Sequence, residues 1–290
     1  MTERRQRQIE FEIPIVEPAA ELLEIKDIHP DLPQPPFFVG IIGPRHSGKS
    51  VMLYNILSEK EGMYGQAFKK SNIVLYSPTK DFDKTLKELH LDHVYGPPTE
   101  VQQVVNEILS QQRKFQEADE MTGVLLVLDD ATQIRKGWGP VEELGYTGRH
   151  LGTQVFYVAH KMSSIPRGIR TQTQQWLLYE PHEMSEKDWV LDMFSDRTTR
   201  NLWRNALQRA WLEPYQFVYV DFEERDFIRK YRKGFHEPLF LPEEMNQLIG
   251  RIIIHDVEQI HREQVNMENE VESVRHERVE QPLQRRNRRA

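Results

Sequence analysis

The sequence contains no cysteine. Disulfide staples, thiolate metal sites and cysteine-ligated iron–sulfur clusters are therefore excluded. No apolar run approaches the ~20 residues that a membrane-crossing helix needs, so no integral membrane segment is expected. The amino terminus, Met1-Thr2-Glu3-Arg4-Arg5, is charged, and the apolar stretch of a secretory signal is missing. An excess of positive charge is missing too, since 38 basic residues face 45 acidic ones for a formal net charge of −7. Bulk charge thus gives no support to nucleic-acid binding, which would have to rest on local patches. A Gly-x-Ser-x-Gly nucleophile elbow is absent. The 11 histidines are scattered. His255 and His261 are not spaced for one helix face, and His90 and His93, at i and i+3, have no third ligand in view.

The chain has 290 residues, 38% of them hydrophobic and 29% charged. That is room for one large domain or two small ones at about 100–200 residues each, and enough apolar content for one sizeable core. Residues 1–36 carry six prolines and end in Pro30-Asp31-Leu32-Pro33-Gln34-Pro35-Pro36. Neither a helix nor a central strand tolerates that stretch, so an arm or linker is expected, with one short strand at Glu10–Ile15. Residues 37–180 alternate strand-like runs with helical stretches, the pattern of a parallel α/β sheet flanked by helices. The runs are Phe37–Ile42, Ile73–Tyr76, Val124–Leu128, Gln154–Val158 and Trp176–Tyr179. Helices near Glu186–Phe194 and Thr198–Arg209 and a strand at Gln216–Phe222 carry the expected domain to residue 240. Residues 241–262 read as helical. Residues 263–290 are very polar, finish in the basic run Arg285–Arg289, and are expected to be disordered.

The strongest motif is Gly43-Pro44-Arg45-His46-Ser47-Gly48-Lys49-Ser50, which fits the phosphate-binding pattern G-x-x-x-x-G-K-[ST] at every fixed position. A buried-strand run precedes it, and a helical continuation, starting at Val51, follows. Glycines let the backbone curl so that successive N–H groups and the helix N-terminus face phosphate oxygens. Lys49 would then reach the β- and γ-phosphates of ATP, and the Ser50 hydroxyl would coordinate Mg²⁺. Eighty residues on from Lys49, the strand Val124-Leu125-Leu126-Val127-Leu128 ends in Asp129-Asp130. Acids at a strand's carboxyl end lie at the nucleotide crevice of such sheets. Asp129 is expected to help hold the magnesium, and Asp130 to polarise the attacking water as general base. Asp130 capping the turn that follows is the plainer alternative. Ile73–Tyr76 falls between the two motifs in the chain. This intervening strand, with acid-driven water activation, points to the additional-strand class of P-loop NTPase, to which motor-type ATPases belong.

Beyond the acidic strand come Gly145-Tyr146-Thr147-Gly148-Arg149-His150-Leu151, a strand ending in Ala159-His160-Lys161, and Ile165-Pro166-Arg167-Gly168-Ile169-Arg170. In this order of motifs, over about residues 37–180, the chain resembles the FtsK/HerA group of ring motors, and within it the genome-packaging ATPases of large DNA viruses, virophages and polinton-like viruses. The resemblance implies an ATP- and magnesium-dependent motor. It would work as a homo-oligomeric ring of five or six subunits, driving double-stranded DNA into a capsid at the virus assembly site and in the virion. It also implies that Arg149 reaches a neighbouring subunit's γ-phosphate as an arginine finger, with Arg167 and Arg170 as runners-up. His160 would take the place where relatives commonly carry Gln or Asn to sense the γ-phosphate, and Asp130 the place where many carry Glu. Gln154 is the substitute sensor only if the strand is shorter than drawn. For Arg149, the plainer alternative is a surface pair with a nearby acid, and for His160 a hydrogen-bonded strand end.

A packaging motor grips DNA by its phosphates without reading sequence. The candidate contacts are Lys69-Lys70, Arg135-Lys136, the cluster Arg229–Lys233 interleaved with Tyr231, and the terminal arginines. For any one of these runs, a solvated face is the plainer reading. Two other functions also fit a phosphate loop. One is a nucleotide or nucleoside kinase, with Arg167 and Arg170 on a lid; the other is a non-motor ATP switch in assembly or partition.

Overall fold

The structure, a computed structural model, describes residues 28–118, 122–130 and 139–250. The expected strand at Glu10–Ile15, the Arg135-Lys136 pair, His255, His261 and the basic tail lie outside the described residues.

Apolar runs without polar alternation become strands here because helices cover both faces of the sheet. β1 (Phe38–Ile42) and β4 (Val124–Leu128) are buried at every position. Between them in the chain lie α1 (Lys49–Ile56), α2 (Tyr64–Ala67), β2 (Ile73–Tyr76), α3 (Lys84–Lys87), β3 (His93–Tyr95) and the long α4 (Pro98–Ala118). After β4 follow α5 (Gly139–Thr147), β5 (Thr153–Ala159), α6 (Arg167–Gln172), β6 (Gln175–Tyr179), α7 (Met184–Phe194) and α8 (Arg200–Ala210). The described chain closes with β7 (Phe217–Asp221), α9 (Phe227–Lys230), β8 (Tyr231–Lys233), β9 (Glu237–Pro238) and a helical stretch over 242–250.

The strands form one sheet in the order β3-β2-β4-β5-β1-β6-β7-β8-β9. Pairing is parallel from β3 through β6, and antiparallel from β6 through β9. Alternate side chains feed two cores. On one face Val39, Ile41, Leu125 and Val127 meet Met52, Leu53 and Ile56 of α1. On the other, Phe38, Leu126 and Val155 meet α4, whose Val101, Val104, Val105, Ile108 and Leu109 follow helical spacing.

Three features add to the sequence reading. The strand inserted in space between β1 and β4 is β5, not β2, which lies on the far side of β4. The class of fold is the expected one, a mainly parallel sheet flanked by helices with a strand inserted between the two motif-bearing strands, but the inserted strand is not the one that falls between them in the chain. Residues 28–36 pack on the core, with Ile28 and Leu32 buried in it and Tyr64 Oη donating to Pro33 O at 2.7 Å. The helix over 242–250 also packs on the core, through Met245 and Leu248. Among the described residues, no helix is long and apolar enough to cross a membrane.

β1 must lie flat under a large ring. A Cβ on Gly40 would sit 2.4 Å from two ring atoms of the fully buried Trp176 on β6. Gly40→Ala is therefore expected to destabilise the protein by about 1–3 kcal/mol through overpacking. Chemical denaturation followed by tryptophan fluorescence would measure this, and an unchanged midpoint would contradict the packing described.

Candidate active site

Parallel strands present their carboxyl ends along one edge, and there the ends of β2, β4, β5 and β1 lie in that order. The ladder extends past the strands themselves. Gly43 N–H donates to Ala159 O at 3.2 Å, and Asp129 N–H donates to Tyr76 O at 2.8 Å. The residues just after each strand are thereby fixed side by side: Ser77, then Asp129 and Asp130, then His160, then the phosphate loop.

A cleft of about 1430 Å³ opens at this edge. Arg45 through Val51 line it, with Asp129, Asp130 and His160. The loop curls because His46 and Gly48 both take left-handed backbone angles, φ 63° and 97°. Gly48 caps α1 without a side chain, leaving the helix's first N–H groups open to the cleft.

The Lys49 ammonium donates to Gly43 O and Pro44 O, each at 2.7 Å, and is buried. Burial lowers its pKa to about 8, against the upward pull of Asp129 and Asp130. Asp129 is buried as well, and accepts a 2.8 Å hydrogen bond from Ser77 Oγ. Burial pushes its carboxyl up, Asp130 and Asp83 add to the rise, and the Ser77 bond and Lys49 oppose it. Asp130 has φ 45°, a left-handed turn that Asp accepts more readily than most residues and that swings its backbone away from the strand direction. His160 bridges the two halves of the site. Its Nε2 lies 3.7 Å from Asp130 Oδ1, and its Nδ1 lies 3.4 Å from Gly43 O. The loop behind His160 is pinned by Glu186 of α7, which is buried and accepts from Met162 N–H at 3.0 Å and Ser163 Oγ at 2.5 Å.

These donors fit a magnesium nucleotide. A curled run of backbone N–H groups, one ammonium, and two hard oxygen ligands, the Ser50 hydroxyl and the Asp129 carboxylate, line one cleft. Lys49, Ser50, Asp129, Asp130 and His160 are all brought together. Arg149 is not among them. It lies on the turn Gly148–Leu151, ahead of β5 and so at the opposite edge of the sheet, where it pairs with Glu223 at 2.8 Å. Gln154 is also at that far end, donating to Gly152 O at 2.8 Å, and cannot replace His160. Arg170 lies over the Trp189 ring, 4.5 Å from its centroid, and Arg167 is exposed at the start of α6.

The cluster Arg229–Lys233 is not an open platform for bases. Arg232 is buried, donates to Phe235 O at 2.6 Å and stacks over Tyr219, while Tyr231 packs edge-on against Trp203 and Phe240. Lys233 pairs with Glu237 and Arg229 with Glu224. Lys70 pairs with Glu59 at 3.9 Å, and its neighbour Lys69 is exposed. Among the described residues, no group of three or more His, Asp or Glu is placed to hold a metal by itself.

Ser77 is the residue bonded to Asp129 that the motif reading passes over, although the same logic that selects Asp129, a polar residue one step past a buried strand, selects it too. Outer partners of a metal-holding carboxylate typically carry about 10- to 100-fold of metal affinity. Ser77→Ala is expected to weaken Mn²⁺ binding in the presence of ATP by that factor, read by electron paramagnetic resonance. Unaltered binding would remove Ser77 from the site.

No protein-family model and no curated protein matches the chain. Among solved structures, it is similar to the genome packaging NTPase B204 from Sulfolobus turreted icosahedral virus 2 in complex with ATP-gammaS, with 14% identity, 75% of this chain and 100% of that chain covered, and a TM-score of 0.46. It is similar to EssC (ATPases 2 and 3) from Geobacillus thermodenitrificans, with 14% identity, 73% and 42% covered, and a TM-score of 0.47. The pCW3 conjugation coupling protein TcpA with ATPgS is a further likeness, with 11% identity, 72% and 64% covered, and a TM-score of 0.46. A packaging NTPase is the kind of protein that the motif order resembles. All three TM-scores lie below 0.5, so what the chain does has to be read from its own residues.

Proposed function

We propose that this chain is a magnesium-dependent ATPase whose hydrolysis drives double-stranded DNA during packaging of a viral genome. The observation that carries the ATPase reading is the convergence of Lys49, Ser50, Asp129, Asp130 and His160 on one cleft at the carboxyl edge, with β5 inserted between the strands that bear the loop and the acids.

The residues divide the work by position. The loop's N–H groups and the Lys49 ammonium hold the phosphate tail, replacing the Gly43 and Pro44 carbonyls as partners of Nζ. Ser50 and Asp129 would hold a magnesium ion, whose charge would offset that of the phosphate tail. Asp130 accepts a proton from the water it orients, and His160, between Asp130 and the loop, fixes that water relative to the γ-phosphate. Arg149 faces away from its own cleft. A residue so placed serves a site only by reaching a neighbouring copy's, and the pair with Glu223, about 40% exposed on each side, costs at most about 1 kcal/mol to break. The ring of subunits, the DNA in its pore, the capsid partner and the place of action in the virion and assembly site follow from the motif resemblance. The similar B204 structure is that of a genome packaging NTPase. The kinase alternative needs Arg170 on a lid, whereas Arg170 is packed against Trp189.

Purified protein is expected to hydrolyse ATP only with Mg²⁺. Asp130→Asn should lower kcat by about 10²–10⁴ while nucleotide still binds, and Lys49→Ala should abolish activity; full hydrolysis by Lys49→Ala would refute the reading. Double-stranded DNA should stimulate hydrolysis in a salt-sensitive manner. Mixing wild type with Arg149→Ala should give a loss steeper than linear, as a finger acting in trans requires. A linear loss would return Arg149 to a surface role.

A further inference from the structure

The cleft is asymmetric beyond the phosphate loop. On one side stand Asp83, which bears electrostatically on Asp129, and the exposed ring of Phe82; this is the metal end. On the other side the wall is aromatic: Tyr215, Phe217 and Phe235. The Phe217 and Phe235 rings meet edge-on at 5.0 Å, and Phe217 continues to Tyr179 at 5.4 Å. Tyr215 is the odd member. It is 70% exposed, and it holds φ 66°, a left-handed conformation rare for a bulky residue. Its side chain reaches over the phosphate loop, so that a Cβ on Gly48 would lie 3.3 Å from Tyr215 Cβ and Cδ1. A large ring is thus left in water, on an unfavourable backbone, against the loop that would hold a triphosphate. Backbone outliers of this kind cluster at ligand-binding positions.

We propose that Tyr215, backed by Phe217, is the surface on which the nucleotide's base stacks. This rests on the ATP reading and extends it from the phosphates to the base. With the γ-phosphate directed at Asp129 and His160, the base must leave the loop on the side away from the metal end, and the aromatic wall is there. A flat heteroaromatic ring offers an apolar π-face that matches an exposed phenol ring, and stacking accepts any base while favouring the larger purines. The site is therefore expected to take ATP and GTP with similar affinity and to bind CTP more weakly.

Calorimetric titration of the full chain with ATP, GTP, CTP and inorganic tripolyphosphate tests this, using wild type, Tyr215→Ala, Tyr215→Phe and Lys49→Ala. Wild type should bind ATP about tenfold more tightly than tripolyphosphate, the difference being the stacked base. Tyr215→Ala should bind ATP no better than tripolyphosphate, with its tripolyphosphate affinity unchanged, and Tyr215→Phe should behave as wild type. A Tyr215→Ala protein that keeps the wild-type ratio overturns the inference. So does one that loses both ligands equally, which would place Tyr215 with the loop rather than the base. Neither of those outcomes touches the ATP reading while Lys49→Ala still loses both ligands. Wild type that binds neither ligand overturns the ATP reading itself, and the inference with it.

Discussion

Two hydrogen bonds beyond the ends of the strands, Gly43 N–H to Ala159 O and Asp129 N–H to Tyr76 O, set the geometry on which the site depends. They carry the parallel ladder one residue past β1 and β4, so the loop and the acidic pair leave the sheet in fixed register. Adjacent strands lie about 4.8 Å apart. Placing β5 between β1 and β4 separates the loop from Asp129 by two strand spacings, and the gap is filled from below by His160. Its imidazole lies between Gly43 O of the loop and Asp130 of the acidic pair. Gly40, under the Trp176 ring, keeps β1 close to β6 and so keeps the loop at the level of its neighbours.

The electrostatics of the cleft are those of a site that awaits an anion and a cation together. Lys49 is held by two carbonyls and desolvated enough to lower its pKa. Asp129 is desolvated enough to raise its own, with one hydroxyl as its direct partner. A buried ammonium held by neutral carbonyls and a buried carboxylate held by one hydroxyl both cost free energy to desolvate. On the proposed reading, a triphosphate with a divalent cation would offset both costs at once, the anion meeting Lys49 and the loop's N–H groups and the cation meeting Ser50 and Asp129.

Much of this was legible in the sequence. The phosphate loop is a local feature, with every residue needed to curl it inside eight positions, and Val124–Leu128 is a run whose length and lack of alternation admit little but a doubly covered strand. Ile73–Tyr76 and Val124–Leu128 were bounded as the structure has them. Strand order is not legible, because lateral neighbours are chosen by long-range packing: Ile73–Tyr76 falls between the two motifs in the chain, but β5 falls between them in the sheet. Short strands were missed as well: β3, β8 and β9 span three residues or fewer, too few for a periodicity to show. The run Arg229–Lys233 looked like a solvated basic face, yet antiparallel pairing of β8 with β7 turns Arg232 inward onto Tyr219. Tyr215 carried no signal, since its meaning lies in a left-handed backbone and in a neighbour, Gly48, far away in the chain.

The central claim is that one magnesium nucleotide is shared by the loop and the acidic strand. A structure of the protein with Mg²⁺ and a non-hydrolysable ATP analogue tests it most directly. The account predicts Lys49 Nζ within hydrogen-bonding distance of the γ-phosphate, with Ser50 and Asp129 on the metal that the same phosphate binds, directly or through water. An analogue bound elsewhere, or one whose metal is held without Asp129 while Lys49 stays on the Gly43 and Pro44 carbonyls, would contradict it.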